Sequence, residues 1–222
     1  MKNKRLRDLV FLTAAACLWC AGATAGTFTT ITIDGDYSDW AGVPVLDSDP
    51  ADNPGSVDLA DIQIANDNEF LYIRNTYHGA LSLGTYIALD VDQNTATGYD
   101  IFGLGLIGSE AGWQNDFPFT QATGVFNDGQ GMSGDFFGSG AALLDNFADS
   151  SSRELALSLN TIFNSGGSPV FPDDSFTLLI WTDLGAGDVS APISYTLAVP
   201  EPTTVALVLL GGLAIAVRRR RG

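Results

Sequence analysis

The chain has few of the residues that crosslink proteins or carry out chemistry. It contains two cysteines and one histidine in 222 residues. Cys17 and Cys20 both lie in the first apolar run, so the segment after that run has no disulfide. The fold of that segment must therefore be stabilised by core packing, and bound cations can contribute to its stability. With no thiol and only His78 there, thiol chemistry and multi-histidine metal sites are excluded.

Positive charge is almost absent from the middle of the chain. Of the 10 Lys and Arg residues, only Arg74 and Arg153 lie within residues 27–198, whereas all but Asp8 and Glu201 of the 26 acidic residues lie there. A domain this acidic cannot gain affinity by releasing counterions from a phosphate backbone, so nucleic acid is not an expected partner. The acids are nearly all aspartates, which favour turns, caps and cation coordination over helix interiors.

Residues 1–25 have the layout of a secretory signal peptide. A basic start is followed by an apolar stretch that ends near Cys20, and the small residues Ala23 and Ala25 form the cleavage site. The apolar stretch is shorter than the roughly 20 residues that a membrane span needs, which disfavours an uncleaved anchor. A second interpretation is a lipoprotein box with Cys17 acylated, although the branched residue expected three positions earlier is missing. We expect export through the Sec translocon and cleavage by signal peptidase.

Between residues 26 and 198 the apolar residues recur with a period of two, as in β-strands. The clearest case is 153–159, where three leucines share one face and polar or small residues the other. Many short strands, turn-forming clusters between them and almost no helical periodicity predict an all-β fold, an antiparallel, jelly-roll-like β-sandwich. The other predicted strands are 29–33, 61–64, 70–76, 84–92, 101–107, 120–126, 176–182 and 193–199, with short helical turns at 141–147 and 160–164.

Four phrases of this segment carry a resemblance to a known family. They are I-D-G-D-Y-S-D-W at 33–40, N-D-N-E-F-L-Y-I at 66–73, L-D-V-D-Q-N-T-A-T-G-Y at 89–99 and R-E-L-A-L-S-L at 153–159. Their succession resembles the family-nine-like carbohydrate-binding modules and the related DOMON domains. The resemblance implies a jelly-roll-like fold and, in some members, calcium and sugar binding. It does not by itself imply either activity for this chain.

Asp90, Asp92 and Asn94 have the i, i+2, i+4 spacing of calcium-binding loops. On a straight strand these side chains would stand about 6.6 Å apart, whereas all ligands of one calcium ion lie within about 2.6 Å of it. The predicted site therefore requires the chain to curl after Val91, which the 94–98 stretch permits. The EF-hand pattern is incomplete, since no Gly follows Asn94 and no Glu closes the loop. The alternative is an Asp pair at a strand end with an Asx-turn.

A second acidic group lies in a Pro-rich loop and consists of Asp47, Asp49 and Asp52. Aspartate and proline are both frequent in turns. We therefore interpret this group as part of a solvated loop.

Sugar-binding modules use exposed aromatic rings, because the C–H face of a pyranose is apolar. Trp113, with the polar residues 114–116 beside it, is the best such combination in a predicted loop, and the alternative is that its ring caps a core. Tyr99 follows the predicted calcium loop, which can present its ring to a ligand. We expect Trp181 in the core and Trp40 as a buried indole whose N–H finds a carbonyl.

No pattern of catalytic residues stands out. There is no Gly-x-Ser-x-Gly elbow, no phosphate-cradling Gly-rich loop and no dinucleotide fingerprint. Glycoside hydrolysis needs two carboxylates, which an Asp-rich chain never lacks, but no Glu flanked by aromatic residues is evident. His78, between Tyr77 and Gly79, has the surroundings of a turn residue. We expect that the protein is not an enzyme.

The end of the chain combines the motif Val199-Pro200-Glu201-Pro202 with an apolar run at 203–217 and a basic end. The basic end consists of Arg218, Arg219, Arg220 and Arg221. As a helix the apolar run would be about 22 Å long, so it spans a hydrocarbon core of about 30 Å only with local thinning and snorkelling arginines. The arginines hold the C-terminus in the cytoplasm and leave the acidic domain outside. A buried core helix is the alternative, but it does not explain the four arginines.

This combination closely resembles the PEP-CTERM sorting signal. The resemblance implies recognition and removal by an exosortase in the envelope of a Gram-negative bacterium that makes exopolysaccharide. A GPI signal works similarly, because a marginal anchor holds the substrate only until an enzyme cuts it. The predicted organisation is a signal peptide (1–25), a β-sandwich domain (26–198) and a sorting signal (199–222), whose membrane contact through 203–217 is transient.

These features predict an exported protein, anchored in the membrane before processing and standing at the cell surface or outside the cell after it. The leading hypothesis is a non-catalytic β-sandwich that binds or associates with extracellular polysaccharide, with calcium as the candidate cofactor. The alternative is a structural surface or biofilm-matrix protein without a specific small ligand. An exported hydrolase is the third hypothesis.

Overall fold

The computed structural model describes residues 24–53, 56–79, 84–129, 131–133, 142–145, 150–182 and 187–200. Regular structure in these residues is almost entirely β, with two short 3-10 helices at Tyr37–Gly42 and Ile101–Gly103. The strands are β1 (Thr24–Ala25), β2 (Val45–Ser48), β3 (Leu59–Asn66), β4 (Phe70–Tyr77), β5 (Thr85–Asp90), β6 (Ala111–Gln114), β7 (Phe117–Thr120), β8 (Met132–Ser133), β9 (Ala142–Leu144), β10 (Ser152–Ser158), β11 (Ile162–Phe163), β12 (Ser175–Thr182) and β13 (Ile193–Thr196).

The strands form two main sheets. One has six strands in the order β1-β13-β12-β5-β6-β7, and the other has five strands in the order β2-β3-β4-β10-β9. Neighbouring strands are antiparallel except for the parallel pair of β1 and β13. The predicted all-β, antiparallel sandwich is therefore confirmed.

The main core lies between the two sheets. Alternate residues of each strand point into it, such as Ile87 and Leu89 of β5 facing Leu155 and Leu157 of β10. Their period of two is the pattern that the sequence shows. Trp113 of β6 joins the same core with its side chain completely buried.

Both sheets are also covered on their outer faces, which the sequence did not indicate. A segment before β2 packs Ile31 and Trp40 on the outer face of the five-stranded sheet. On the six-stranded sheet, Ile101 and Ile107 pack against Trp181 of β12. As a result these sheets do not alternate simply between a core face and a solvated face.

Strand β10 shows the consequence of this double cover. All of its residues are buried, although the pattern predicted one polar or small-residue face. Arg153 lies on the face of the leucines and is 1% exposed, with its Nε 3.7 Å from Asp145 Oδ1. Glu154 points to the opposite face and is completely buried under the segment that carries Trp40.

The turn between β3 and β4 is organised by Asp67. Its Oδ1 accepts hydrogen bonds from the backbone N–H groups of Glu69 at 2.8 Å and Phe70 at 2.9 Å. Its Oδ2 accepts from the hydroxyls of Tyr72 at 2.6 Å and Thr30 at 3.0 Å. Burial opposes ionisation, but these hydrogen bonds outweigh it and lower the pKa of Asp67. The N-D-x-x-x-L-Y phrase is thus a capped hairpin turn.

Several sequence predictions of local structure are wrong. Segment 101–107 is a 3-10 turn and a loop, because Phe102, Gly103 and Gly105 take positive φ angles of 54°, 70° and 66° that a strand cannot use. Segment 120–126 contributes only the end of β7 and a single bridge. Strands β9 and β11 lie where helical turns were predicted, and the hairpin of β6 and β7 was missed.

No helix in the described ranges is long and apolar enough to cross a membrane. The predicted span 203–217 and the arginine cluster that follows it lie outside the described residues, as does most of the predicted signal peptide.

Candidate functional site

The predicted calcium loop begins where β5 ends. Asp90 is the last residue of β5 and is 2% exposed, while Asp92 is exposed in the turn that follows. The backbone N–H of Asn94 donates to Asp90 Oδ1 at 3.1 Å and to Asp92 Oδ1 at 2.9 Å. The chain therefore curls after Val91, which is the condition that the predicted site required.

A third carboxylate completes this group. Oxygens of Asp90, Asp92 and Glu110 all lie within 4.8 Å of one another, and we name these residues the β5 cluster. Glu110 stands just before β6, beside the end of β5, and its Oε2 accepts from Val91 N at 3.1 Å. Its Oε1 is buried and accepts no hydrogen bond. Burial and the charges of Asp92 and Asp90 raise the pKa of Glu110 to about 7.

The side chain of Asn94, the third predicted ligand, forms a turn. Its Oδ1 accepts from Ala96 N at 3.1 Å, which is the Asx-turn that the sequence offered as an alternative. A role for the same amide oxygen as a ligand stays a prediction. Burial, only partly offset by hydrogen bonds from Gly108 and Asn94, raises the pKa of Asp90.

Close backbone packing holds the end of the loop. Gly98 has a φ of +64°, and a Cβ on it would lie 2.5 Å from the carbonyl oxygen of Ser109. Only glycine fits this combination of left-handed backbone and close approach. Thr97, one residue earlier, donates its hydroxyl to Asp92 Oδ2 at 3.0 Å. The T-G-Y part of the phrase therefore fixes the loop against the segment that carries Glu110.

A second acidic group forms at the edge of the sandwich. Oxygens of Asp49, Asp52, Asp58 and Asp188 lie within 4.8 Å of one another, and we name these residues the sheet-edge cluster. Asp58 and Asp188, which the sequence interpretation of a solvated loop did not include, are 8% and 6% exposed, whereas Asp49 is partly buried and Asp52 is exposed. Asp47 is not a member, and its Oδ2 instead accepts from Ala191 N at 3.1 Å.

The carboxylates of this cluster repel one another. Burial, followed by the charges of Asp188, Asp52, Asp47 and Asp58, raises the pKa of Asp49 to about 6. Burial is also the first cause of the raised pKa of Asp188, with the charges of Asp52 and Asp58 adding to it.

The structure does not support Trp113 as a sugar platform. Trp113 lies within β6, is 0% exposed and packs in the core between the sheets, because the segment predicted as a loop is one arm of a hairpin. Trp40 and Trp181 are also 0% exposed, as predicted. The predicted sugar platform at Trp113 is wrong.

Tyr99 lies directly after the β5-cluster loop and is partly buried. Its ring meets Phe126 edge-on, with centroids 5.5 Å apart, and Phe126 in turn contacts Trp181. Tyr99, Phe126, Trp181 and Phe102 form an aromatic row. Phe102 lies at its outer end, where its side chain is 47% exposed and its ring centroid is 6.3 Å from that of Trp181. Phe102 is therefore an exposed ring near the predicted ligand-binding position, which sequence reasoning had assigned to a strand.

The sandwich ends where the sorting motif begins. Asn66 in β3 donates its Nδ2–H to Ala198 O at 3.0 Å and accepts from Ala198 N at Oδ1 at 2.8 Å. Val199 is 71% exposed. The other end of the domain lies close by, since Asn66 N donates to Thr27 O at 3.0 Å. Ala23 lies outside the described residues, and Ala25 belongs to β1, which pairs with β13.

The sequence did not reveal three carboxylates of the two clusters. Glu110 is distant in sequence from Asp90, and only the pairing of β5 with β6 brings them together. Asp58 and Asp188 meet because the loop before β3 contacts the segment before β13. The scarcity of Glu in this Asp-rich segment was the available sequence signal for Glu110. No sequence signal pointed to Asp188.

Comparison with known proteins gives one motif match and two structural similarities. Residues 198–221 match the PEP-CTERM protein-sorting motif. No curated protein matches the chain. One similar solved structure is a carbohydrate-binding module of family 9 from Caldicellulosiruptor kristjanssonii in complex with cellotriose, with 12% identity, a TM-score of 0.45 and coverage of 80% of this chain and 94% of that chain. Another is the family 9 module from the same organism with glucose, with 13% identity, a TM-score of 0.46 and coverage of 81% and 97%.

The motif match confirms the sorting signal that the sequence predicted. A motif of this kind implies export and a membrane-anchored sorting signal that an exosortase processes. Residues 198–221 of this chain are a PEP-CTERM protein-sorting motif.

Proposed function

We propose that an exosortase cuts this exported chain at its sorting motif and that the released β-sandwich acts at the surface or in the matrix of a Gram-negative cell, by binding and not by catalysis. The position of the motif carries the proposal. Ala198 is the last described residue with a hydrogen bond to the sandwich, and Val199 is exposed. Cutting beyond this point leaves β2 to β13 intact.

A substitution in the motif tests the processing step. Glu201→Ala removes the central acid of the motif, and we expect the variant to stay in the membrane fraction while the parent protein is released. Glu69→Ala is the matched control, because Glu69 is an exposed acid in the turn between β3 and β4. Release of Glu201→Ala at the parent level, with the same trimmed mass, would contradict the proposal.

Extracellular polysaccharide is the ligand class that we propose for the sandwich. Support comes from the resemblance of its four phrases to family-nine-like modules and from the exposed ring of Phe102 at the end of the aromatic row. A phenyl ring can stack on the apolar C–H face of a sugar, as the exposed aromatic rings of sugar-binding modules do. Phe102 takes the place of Trp113 in this proposal.

Binding to a glycan panel separates this proposal from a purely structural role. Phe102→Ala should lose affinity for the glycan that the parent binds, because the variant lacks the ring. Phe117→Ala is the control, since Phe117 is 62% exposed at the start of β7 and has no place in the aromatic row. A parent protein that binds no glycan, yet stays in the matrix, would instead favour the structural matrix protein.

Calcium is the cofactor that we propose for the β5 cluster. Three carboxylates with oxygens within 4.8 Å of one another fit around one ion, because calcium takes oxygen ligands at about 2.3–2.6 Å. The Oε1 of Glu110 is buried and accepts no hydrogen bond, so it is available as a ligand. When bound, the ion would neutralise the repulsion among Asp90, Asp92 and Glu110 and fix the loop that leads to Tyr99.

Thermal unfolding with and without chelator tests the β5 cluster. A ligand bound only by the folded state raises stability, so calcium should raise the melting temperature. Asp92→Asn should reduce this increase, and because Asp92 is exposed the variant should fold. Asp116→Asn, an exposed acid in the turn between β6 and β7, serves as the control. A melting temperature that responds equally to calcium in the parent and in Asp92→Asn would remove the β5 cluster from the account.

A further inference from the structure

The sheet-edge cluster lies apart from the β5 cluster in sequence. Asp49 and Asp52 belong to the loop between β2 and β3, Asp58 stands just before β3, and Asp188 lies between β12 and β13. Their carboxylate oxygens are within 4.8 Å of one another. Acidic groups on a surface often meet in this way without a ligand, so proximity alone does not define a site.

Asp58 supplies the second observation. Its side chain is 8% exposed, and its Oδ1 is buried and accepts no hydrogen bond. Its other oxygen accepts a long hydrogen bond of 3.4 Å from Asn53 N. A buried carboxylate oxygen without a donor costs free energy unless a cation compensates it.

Neither of the two arginines in the described residues compensates the charge of this cluster. Within residues 27–198 the only Lys or Arg residues are Arg74 and Arg153. Arg74 donates to Ser152 Oγ at 2.9 Å and to Gln63 Oε1 at 2.8 Å, and Arg153 faces Asp145. The nearby His78 has its Nε2 2.8 Å from the backbone oxygen of Asp49, so that nitrogen is engaged by a carbonyl.

The cluster joins the edges of the two sheets. Asp188 Oδ2 accepts from Leu59 N at 2.9 Å, which connects the six-stranded sheet to the start of β3 in the five-stranded sheet. Beside it, the Thr182 hydroxyl donates to Val57 O at 2.8 Å. An ion held by Asp188 together with the loop aspartates would therefore crosslink the sandwich, which has no cysteine in residues 26–198.

We propose that Asp49, Asp52, Asp58 and Asp188 bind a calcium ion that ties the two sheets together at this edge. The donor set favours calcium, which takes six to eight oxygen ligands in flexible geometry. Magnesium is usually held by one or two carboxylates and keeps several waters, while zinc prefers nitrogen and sulfur. This site is independent of the β5 cluster and of the proposed polysaccharide binding.

The test compares Asp52→Asn with the parent protein at two calcium levels. Without calcium the substitution removes one of four repelling charges, so the melting temperature should rise by about 2–4 °C. With calcium the same substitution removes a ligand, so the melting temperature should fall below that of the parent. This change of sign is specific to a bound cation. Asp47→Asn is the control, since Asp47 lies in β2 just before the loop and outside the cluster.

Calorimetric titration of chelator-treated protein with calcium chloride gives the second readout. The parent should show two binding steps, and Asp58→Asn should lose one of them while keeping the other. Asp92→Asn should lose the remaining step, so failure of the β5 cluster and failure of the sheet-edge cluster give different titrations. Asp52→Asn decides the matter if Asp58→Asn does not fold, because Asp52 is exposed. Two overturning results are unchanged calcium binding in Asp52→Asn and a variant that is more stable than the parent at both calcium levels.

Discussion

The indole N–H of Trp40 donates a hydrogen bond to Glu154 Oε2 at 2.8 Å, and both side chains are completely buried. The other oxygen of this carboxylate accepts from Asp34 N at 2.9 Å and Gly35 N at 2.8 Å. One carboxylate on β10 thus holds both ends of the I-D-G-x-x-x-D-W phrase against the outer face of the sheet. The sequence predicted a buried indole with a carbonyl as its acceptor, and the acceptor is a carboxylate instead.

Glu154→Gln should destabilise the protein by about 1–3 kcal/mol, because it weakens hydrogen bonds to a buried charged group. A Gln amide has one acceptor oxygen and one NH₂ group that only donates, so its NH₂ group would face an N–H donor of Trp40 or Gly35. The free energy of unfolding, measured by urea denaturation, checks this. Glu69→Gln is the control because Glu69 is exposed. Equal stability of the two variants would contradict the importance of this contact.

Two tryptophans of equal burial should respond differently to replacement by phenylalanine. Trp40→Phe leaves Glu154 Oε2 without its indole donor, whereas the indole N–H of Trp113 has no hydrogen-bond partner to lose. We expect Trp40→Phe to be the more destabilising by about 1–3 kcal/mol. Urea denaturation of both variants measures the difference. Because Trp113 is a core residue, we also expect Trp113→Phe to retain any glycan binding of the parent. A specific loss of that binding would contradict the assignment of Trp113 to the core.

Alkaline pH should weaken the fold. Burial raises the pKa of Tyr195 and of Tyr77 to about 12, and burial together with Asp145 does the same for Tyr37. An unfolded tyrosine ionises near its ordinary pKa of 10.0, so the unfolded chain releases these protons first. The stability that the buried hydroxyls contribute is therefore full below about pH 10 and is lost as the pH rises toward 12.

Urea denaturation at a series of alkaline pH values measures this loss. The decrease should be smaller in Tyr195→Phe, which has one fewer buried hydroxyl, although this variant also loses the hydrogen bond to Asn66 and starts from lower stability. A free energy of unfolding that stays constant from about pH 9 to about pH 11.5 would show that these tyrosines ionise equally in both states.

Local patterns predicted the sandwich well where every second residue of a strand is apolar and faces the core between the sheets. The leucines of β10 and the apolar residues of β4 and β12 were recognised, because a period of two directly reflects burial against one core. The same periodicity wrongly predicted a strand at 101–107. The alternating apolar residues of that segment belong to a loop, and Gly103 and Gly105 supply positive φ angles there.

The candidate sites were predictable only where their residues are neighbours in sequence. Asp90 and Asp92 could be paired by spacing, whereas Glu110 joins them through strand register. Asp188 meets Asp58 across the two sheets, a contact that no local pattern contains. The segment around Trp113 looked like a loop because its polar neighbours 114–116 are the last residue of β6 and the turn of a tight hairpin.

The mass of the exported protein tests the central claim most directly. We expect a mature chain that begins after Ala25 and lacks Arg218, Arg219, Arg220 and Arg221, with its new C-terminus near the end of the sandwich at Ala198. Intact-protein mass spectrometry of the released fraction gives both ends in one measurement. An exported protein that still carries Arg221 would contradict processing at the sorting motif.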